Sequence, residues 1–434
     1  MKYDIIIAGG GAGGLFAAVC LAEKFRENNM RDKKILIIEK KDKLAKKIYA
    51  TGNGKCNYTN AVQNKNCYRS ENPDFAFNIY KQFDYKSVID KFMDLGIYPK
   101  EKNGYYYPNS EQAASVALAL INEAERLGAG INTDEKITKI TKAEGSEKSG
   151  KNTEFTVTTQ KAVYKCDRLL MCMGGNASSV YGTSGDGYYM LKQLSHNIIK
   201  PLPALCQLKA EGIDFKQLSG VRCEAFGRIM YTDNSQNVIT VSEEYGEYLF
   251  AAYGISGIPV FQMSRFAVKL IDMGFRVKMS LDFFKDISEN DIYVQLKRRF
   301  TKNAEFGGTN IMALNGLLNS KLSEAVLKYA NLKPEGRAAE TDDKNLITLA
   351  DAVKNFCFDI IGSNGFENAQ VTQGGVDTAQ LDNITLESKL VKGLYFAGEI
   401  IDVDGTCGGY NLQWAWSSAY AAAEGIFKSY KNIT

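Results

Sequence analysis

Histidine is almost absent from this chain, with His196 the single example in 434 residues. Nine cysteines are scattered without a C-x-x-C pair, so neighbouring positions cannot assemble a zinc-type ligand set. An odd number of cysteines without a secretory signal reads as reduced thiols rather than a disulfide framework. Nor is there a dominant charge. Lys plus Arg (53) against Asp plus Glu (50) leaves +3, too little to draw nucleic acid or an anionic membrane by bulk attraction, although a local basic patch stays open. No apolar run approaches the ~20 residues that span a bilayer, so no membrane partner is expected. No charged leader and cleavage site precede the first strand, and the expected location is the cytoplasm. The 45% apolar content allows sizeable cores and two or three domains.

What the chain does have is glycine in a particular place. It opens MKYDIIIAGGGAGGL, where Ile5, Ile6 and Ile7 break into a glycine run and a helical pattern follows at once. In a strand–turn–helix context, the G-x-G-x-x-G of Gly9, Gly11 and Gly14 has a mechanism. The first glycine makes the tight turn, the second admits a pyrophosphate and the third allows close helix packing. Phosphates then rest on the helix N-terminus, where unpaired N–H groups favour an anion. A second apolar strand, ILII at 35–38, ends in Glu39, where an acid bonds adenosine ribose hydroxyls. These features predict an α/β chain with a bound dinucleotide.

Further along, a helix is predicted over 12–29, and a polar loop over 40–60 offers Lys40, Lys46, Lys47 and Lys55 to phosphate around the flexible Gly52 and Gly54. The alternative for this loop is a solvated basic face. A helical segment is predicted over 75–96, a strand or hairpin over 103–110, and a helix from Glu111 to Leu127 capped by Ser110. Residues 129–165 read as a strand and a hairpin whose exposed tip is AEGSEKSGKN. RLLMCMGGN (168–176) is a buried strand running into Gly174 and Gly175, a second place for backbone to approach a ligand. Ser184 and Asp186 read as helix caps, and His196 as a residue interacting with that helix's end. Lys297, Arg298 and Arg299 read as a solvated helix face. The C-terminal helix starts at Gly408, Gly409, Tyr410 and Asn411, again offering N–H groups, and its two tryptophans are expected in the core. The predicted division is a discontinuous dinucleotide domain (1–195 and 362–434), an inserted β-rich domain (196–285 and 346–361) and a helical subdomain (286–345).

The glycine turn and Glu39 fit NAD or FAD equally. GLYFAGE near the C-terminus resembles the strand-to-helix FAD fingerprint of flavoproteins, with Glu399 in a place often taken by Asp. LLMCMGG resembles their Ala-Thr-Gly strand, with Cys172 and Met173 replacing Ala and Thr. Together with TGNGKCNYTN, YYYPNS, GTSGDGY, VTQGGVD and DGTCGGYNLQWAWSSAYAA, these segments resemble, from end to end, the YhiN/BaiN-like flavoproteins (the BaiN/RdsA family), bacterial NAD(P)/FAD-dependent oxidoreductases.

That resemblance implies a glutathione-reductase-like FAD domain of three-layer ββα, Rossmann type, with β-rich and helical insertions. It implies reduction of an activated C=C bond, in a dehydro bile-acid enone or in a uridine of 23S ribosomal RNA. Hydride from flavin N5 adds to the β-carbon and a protein acid protonates the α-carbon. By resemblance, Gly9, Gly11, Ala12, Gly13 and Gly14 hold the pyrophosphate and Glu39 the adenosine ribose. Lys47, Gly54, Lys55, Cys56 and Asn57 line the flavin side, and Gly398 and Glu399 the ribityl region. Gly409, Tyr410, Asn411 and Leu412 meet the isoalloxazine edge. There is no second strand-linked G-x-G-x-x-G, so NAD(P)H is expected to visit transiently. With histidine nearly excluded, the proton donor is Cys, Tyr, Lys or water. Cys407 is the catalytic candidate, on the expectation that a thiol at a helix N-terminus has a depressed pKa, and Cys56 is a second. The plainer reading of both is packing. The alternatives in function are an RNA-modifying reductase, a flavin-binding redox sensor without turnover, and an oxidase using oxygen. Substrate specificity is to be sought in the insertion.

Overall fold

A computed structural model describes residues 1–142 and 154–431; the expected hairpin tip lies outside the described residues. Strand Lys2–Ala8 is the centre of the main sheet, with Ile5, Ile6 and Ile7 fully buried. It pairs in parallel with Ile35–Ile38 on one side and Val163–Met171 on the other. A parallel strand covered on both faces needs a continuous apolar run, which is why IIIA and ILII do not alternate. Gly130–Asn132 extends the sheet beyond Ile35–Ile38, again in parallel.

Strand Val163–Met171 joins two segments that the sequence reading kept apart, AVYKC and RLLM. Its first half, Val163–Cys166, pairs antiparallel with Phe155–Thr158. Its second half, Leu169–Met171, pairs in parallel with Leu394–Phe396. One long strand therefore changes partner midway. The C-terminal segment enters the sheet by that route, beside the strand that carries Gly174 and Gly175.

The helix predicted over 12–29 spans Ala12–Glu27 and ends as Asn29 turns left-handed. The segment predicted over 75–96 is two helices, Pro73–Tyr80 and Tyr85–Asp94, the second capped where the Asp84 carboxylate accepts the Ser87 N–H at 2.9 Å. Ser110 does not cap the following helix. That helix runs Ala113–Arg126 behind Gln112, and Ser110 instead shares a hydrogen bond with Ser115 (2.8 Å). His196 does meet the end of helix Asp186–Gln193, its backbone N–H donating to Leu191 O at 3.0 Å. It is buried, with Nε2 2.8 Å from Ser388 Oγ and its ring against Phe396, and burial lowers its pKa.

The last helix, Tyr410–Lys431, packs along Ala12–Glu27. Both tryptophans are core residues. Trp416 stacks among Phe16 and Phe92 at ring distances of 5.3 and 5.2 Å and donates its indole N–H to Tyr58 O (2.9 Å). The Trp414 indole N–H reaches Gly398 O at 3.1 Å.

The chain divides into two compact units, Met1–Leu202 with Gln370–Thr434, and Pro203–Ala369. The first boundary thus falls a few residues inside the expected insertion and the second a few residues past its expected end. Within the second unit, six strands close a barrel in the order Leu208–Glu211, Gly254–Ser256, Val238–Ala251, Arg222–Thr232, Val277–Asp282 and Phe356–Ser363. The expected helical subdomain is not set apart from it. Helices Glu289–Glu305 and Asp343–Lys354 pack together in that unit, and Lys297 pairs with Asp343 (2.8 Å). Arg299 is not simply solvated, since it donates to Asn315 O at 3.0 Å. Among the described residues no helix is long and apolar enough to cross a membrane.

Trp416 carries the contact between the C-terminal helix and the aromatic core. Trp416→Ala is expected to lower unfolding free energy by roughly 3–5 kcal/mol, through lost burial and an orphaned Tyr58 carbonyl. Trp416→Phe should cost clearly less; equal guanidinium midpoints for the two variants would refute this account.

Candidate cofactor site

The glycine turn has two crowded positions and one open one. Gly9 has φ +108°, and a Cβ there would lie 2.4 Å from Cys172 O; a Cβ on Gly14 would lie 1.9 Å from Gly9 O. A Cβ on Gly11 would meet nothing within 4 Å. So Gly9 and Gly14 let backbone pack on backbone, and Gly11 faces free space at the helix start. No side chain caps that start, which leaves its first-turn N–H groups available to an anion. The nearest atoms to a Cβ on Gly13 belong to Ala397 and Ala415, all at 3.8 Å. Ala12 begins the helix proper.

Glu39 follows Ile38 at the strand end. Its two carboxylate oxygens accept the Gly10 N–H (2.8 Å) and the Lys41 N–H (2.9 Å), which fixes the side chain beside the turn. Next to it lies a small cleft, about 30 Å³, lined by Gly9, Glu39, Lys40, Lys136, Met173 and Asp186, among others. Lys40 reaches across to Ser184 (2.5 Å) and Asp186 (2.8 Å), and Lys136 lies 3.1 Å from Asp186. The caps expected of Ser184 and Asp186 are therefore absent. Helix Asp186–Gln193 begins behind a left-handed Gly185 with no side-chain cap, and both side chains turn to Lys40 instead. Burial pushes the Asp186 carboxyl up, but hydrogen bonds from Lys40, Ser184 and Lys136 outweigh it and bring the pKa to about 2.

The second wall comes from both ends of the chain. Lys47, on helix Lys46–Ala50, forms an ion pair with Glu399 at 2.6 Å. The other Glu399 oxygen accepts the Thr372 N–H at 2.9 Å. Thr372 Oγ1 in turn accepts the N–H groups of Asn176 (2.8 Å) and Ala177 (3.0 Å). This explains Gly175 without a ligand, since a Cβ there would sit 2.4 Å from Thr372 Oγ1; one on Gly174 would sit 2.6 Å from Thr183 Cγ2. Both glycines make room for protein atoms. Thr372 is not among the expected site residues, although it lies in the VTQGGVD segment and in the buried strand Val371–Val376. Gly398 is left-handed (φ +77°), which turns the chain from strand Leu394–Phe396 into Glu399.

The loop 51–57 bends through left-handed residues Gly52, Asn53, Gly54 and Cys56. A Cβ on Gly54 would meet nothing within 4 Å. Lys55 points outward, 3.6 Å from Glu111 and half exposed. Asn57 Oδ1 is buried without a hydrogen-bond partner, 2.8 Å from where a Cβ on Gly409 would stand. Tyr410 starts the last helix and is nearly buried beside Tyr68. Asn411 folds back on Gly405, accepting its N–H (2.8 Å) and donating to its carbonyl (2.9 Å), while Leu412 packs partly buried on the core. The helix start is thus stapled to the loop before it.

The thiols overturn one expectation. Burial raises the Cys407 pKa instead of a helix terminus lowering it, because the helix begins only at Tyr410. Cys56 is fully buried and pushed up to about 12 despite a hydrogen bond with Thr51. Neither is a thiolate at neutral pH.

The Asp186 cluster makes a pH-dependent prediction. A carboxyl held below its usual value stabilises the fold fully above about pH 4 and loses that contribution as pH falls through its folded pKa. Asp186→Asn should lower the urea midpoint at pH 7, and the gap to wild type should shrink between pH 4 and pH 2. A gap that stays constant across that window would remove Asp186 as the cause.

The chain matches the HI0933-like protein Rossmann domain over residues 3–425. It is 36% identical to the 3-dehydro-bile acid delta(4,6)-reductase of Clostridium scindens, over 96% of this chain and 97% of that protein. It is 27% identical to the ribosomal RNA dihydrouridine synthase of Escherichia coli, over 98% of each. Among solved structures, 3-ketosteroid delta1-dehydrogenase from Sterolibacterium denitrificans aligns over 99% of this chain and all of that one, at 11% identity and a TM-score of 0.46. With a family match along nearly its whole length and a relative above a third identical, the chain belongs to the HI0933-like Rossmann family.

Proposed function

We propose that this protein is an FAD-dependent oxidoreductase that reduces an activated C=C bond of a small molecule, with NAD(P)H as transient electron donor. The observation that carries the reading is the return of the C-terminal segment to the glycine turn, with Ala397 beside Gly13 and Glu399 paired to Lys47. FAD, when bound, supplies hydride chemistry at its flavin N5. The residues present fit that group. The helix start at Gly11–Gly14 takes the pyrophosphate, and the Glu39 oxygens, each using one lone pair on backbone, keep another for ribose hydroxyls. Asn57 Oδ1 offers an unused acceptor. The N-terminus of Tyr410–Lys431 favours negative charge beside Gly409–Leu412.

A raised pKa is compatible with Cys407 as the proton donor, since a thiol that stays protonated is a poor nucleophile and holds a proton to give to the substrate α-carbon. The thiolate left behind recovers its proton from solvent. The similarity to the bile acid delta(4,6)-reductase supports a small enone over RNA as substrate.

The protein is expected to purify yellow or to take up FAD, and Gly11→Val should abolish retention with the circular dichroism spectrum unchanged, by filling the open space. Folded protein that never binds FAD would sink the reading. Reduced enzyme mixed anaerobically with a steroid enone should reoxidise, more slowly in Cys407→Ser; reoxidation by 23S ribosomal RNA alone would transfer the activity to RNA. Oxygen alone, with stoichiometric peroxide, would make it an oxidase.

A further inference from the structure

Resting on that FAD reading, we infer that Lys47 is a positioning residue for the cofactor, acting through Glu399 rather than on the phosphates. The two residues stand 352 positions apart in the chain, and their 2.6 Å ion pair joins the two segments from which the divided site is built. Both side chains are largely withdrawn from water, with 29% and 18% exposed. The adjacent lysine behaves differently. Lys46 pairs with Asp42 on its own surface turn, so only Lys47 is turned inward to an acid from the distant C-terminal segment.

Glu399 is fixed at both oxygens, by Lys47 Nζ on one and by the Thr372 N–H on the other. Two partners on one carboxylate define its rotamer and leave each oxygen a further lone pair. The residue stands one position after the left-handed Gly398 and two after Ala397, whose carbonyl comes within 3.8 Å of a Cβ built on Gly13 in the dinucleotide helix. A cofactor carrying a pyrophosphate on that helix start brings negative charge toward this carboxylate. An unpaired Glu399 would oppose it and would be free to swing. Lys47 removes the first problem by charge and the second by geometry. Thr372 extends the arrangement, since its hydroxyl holds the Asn176 and Ala177 N–H groups in the loop after strand Val163–Met171.

The rival account is that Lys47 contacts phosphate directly, and the two separate in a double-mutant cycle. FAD affinity of the deflavinated full chain, read by flavin fluorescence quenching, is measured for wild type, Lys47→Met, Glu399→Gln and the double variant, with urea midpoints as folding controls. Lys47→Met is expected to weaken FAD binding by about tenfold or more, as truncating one partner of a largely desolvated charge pair does. Glu399→Gln alone should cost less, and adding Lys47→Met to it should cost almost nothing further. Lys47→Arg should restore most of the affinity. If the double variant binds as poorly as Lys47→Met, or Lys47→Met binds like wild type, the inference is overturned. Should Lys47→Met fail to fold, the comparison of Glu399→Gln with the double variant still decides. Wild-type protein that binds no FAD overturns the cofactor reading instead, which keeps the two failures apart.

Discussion

The constraint on which this unit depends is backbone lying against backbone at the first turn. Gly14 faces the Gly9 carbonyl, and Gly9 faces the Cys172 carbonyl, at separations no side chain allows. Those contacts set the angle at which helix Ala12–Glu27 leaves the sheet, and so where its uncapped N–H groups point. They also bring the end of strand Val163–Met171 against the turn. That strand pairs with Leu394–Phe396, so the C-terminal segment with Gly398 and Glu399 is carried to the same place. A site assembled from residues near 10, 47, 175 and 399 thus follows from two glycines and one shared strand.

Charge then completes what packing begins. Three acids near this turn are met by a cation or by backbone N–H groups, Glu39 by Gly10 and Lys41, Asp186 by Lys40 and Lys136, and Glu399 by Lys47 and Thr372, while the buried Glu135 is held by Asn132, Thr159 and Tyr164. A dianionic cofactor would otherwise meet carboxylates without counter-charge. Lys40, Lys46 and Lys47 are therefore held by protein acids before any phosphate arrives, which is a different arrangement from a basic loop that grips phosphate directly.

The parts legible in the sequence were those whose signal is local. A continuous apolar run, a glycine turn and a helical period follow one another without a break, and Lys2–Glu27 reads off them directly. Glu39 was legible because its place is set by the strand before it. Other features depend on partners far away in the chain, and sequence spacing carries no trace of them. Ser184 and Asp186 look like caps in GTSGDGY because that is the local use of such residues; Lys40, more than 140 positions earlier, makes a stronger claim on them. Gly175 looks like a ligand contact until Thr372 is placed against it. The closed barrel in Pro203–Ala369 was likewise hidden, since short β-like runs do not say whether a sheet closes on itself.

Cys407 shows how a sound local argument yields to burial. Proximity to a helix start lowers a thiol pKa only if the helix begins at the residue and water or cations share the site. Here the helix begins at Tyr410, after the left-handed Gly408 and Gly409, and tyrosines close over the approach, with Tyr105 2.8 Å from where a Cβ on Gly408 would stand. Desolvation penalises the thiolate. The same apolar shell that makes the thiol a poor nucleophile keeps it protonated across the neutral range, and an ene-reduction needs a proton at the α-carbon, not a nucleophile. The raised pKa therefore removes the nucleophile from the roles open to Cys407 and leaves those of an acid and of a packing residue.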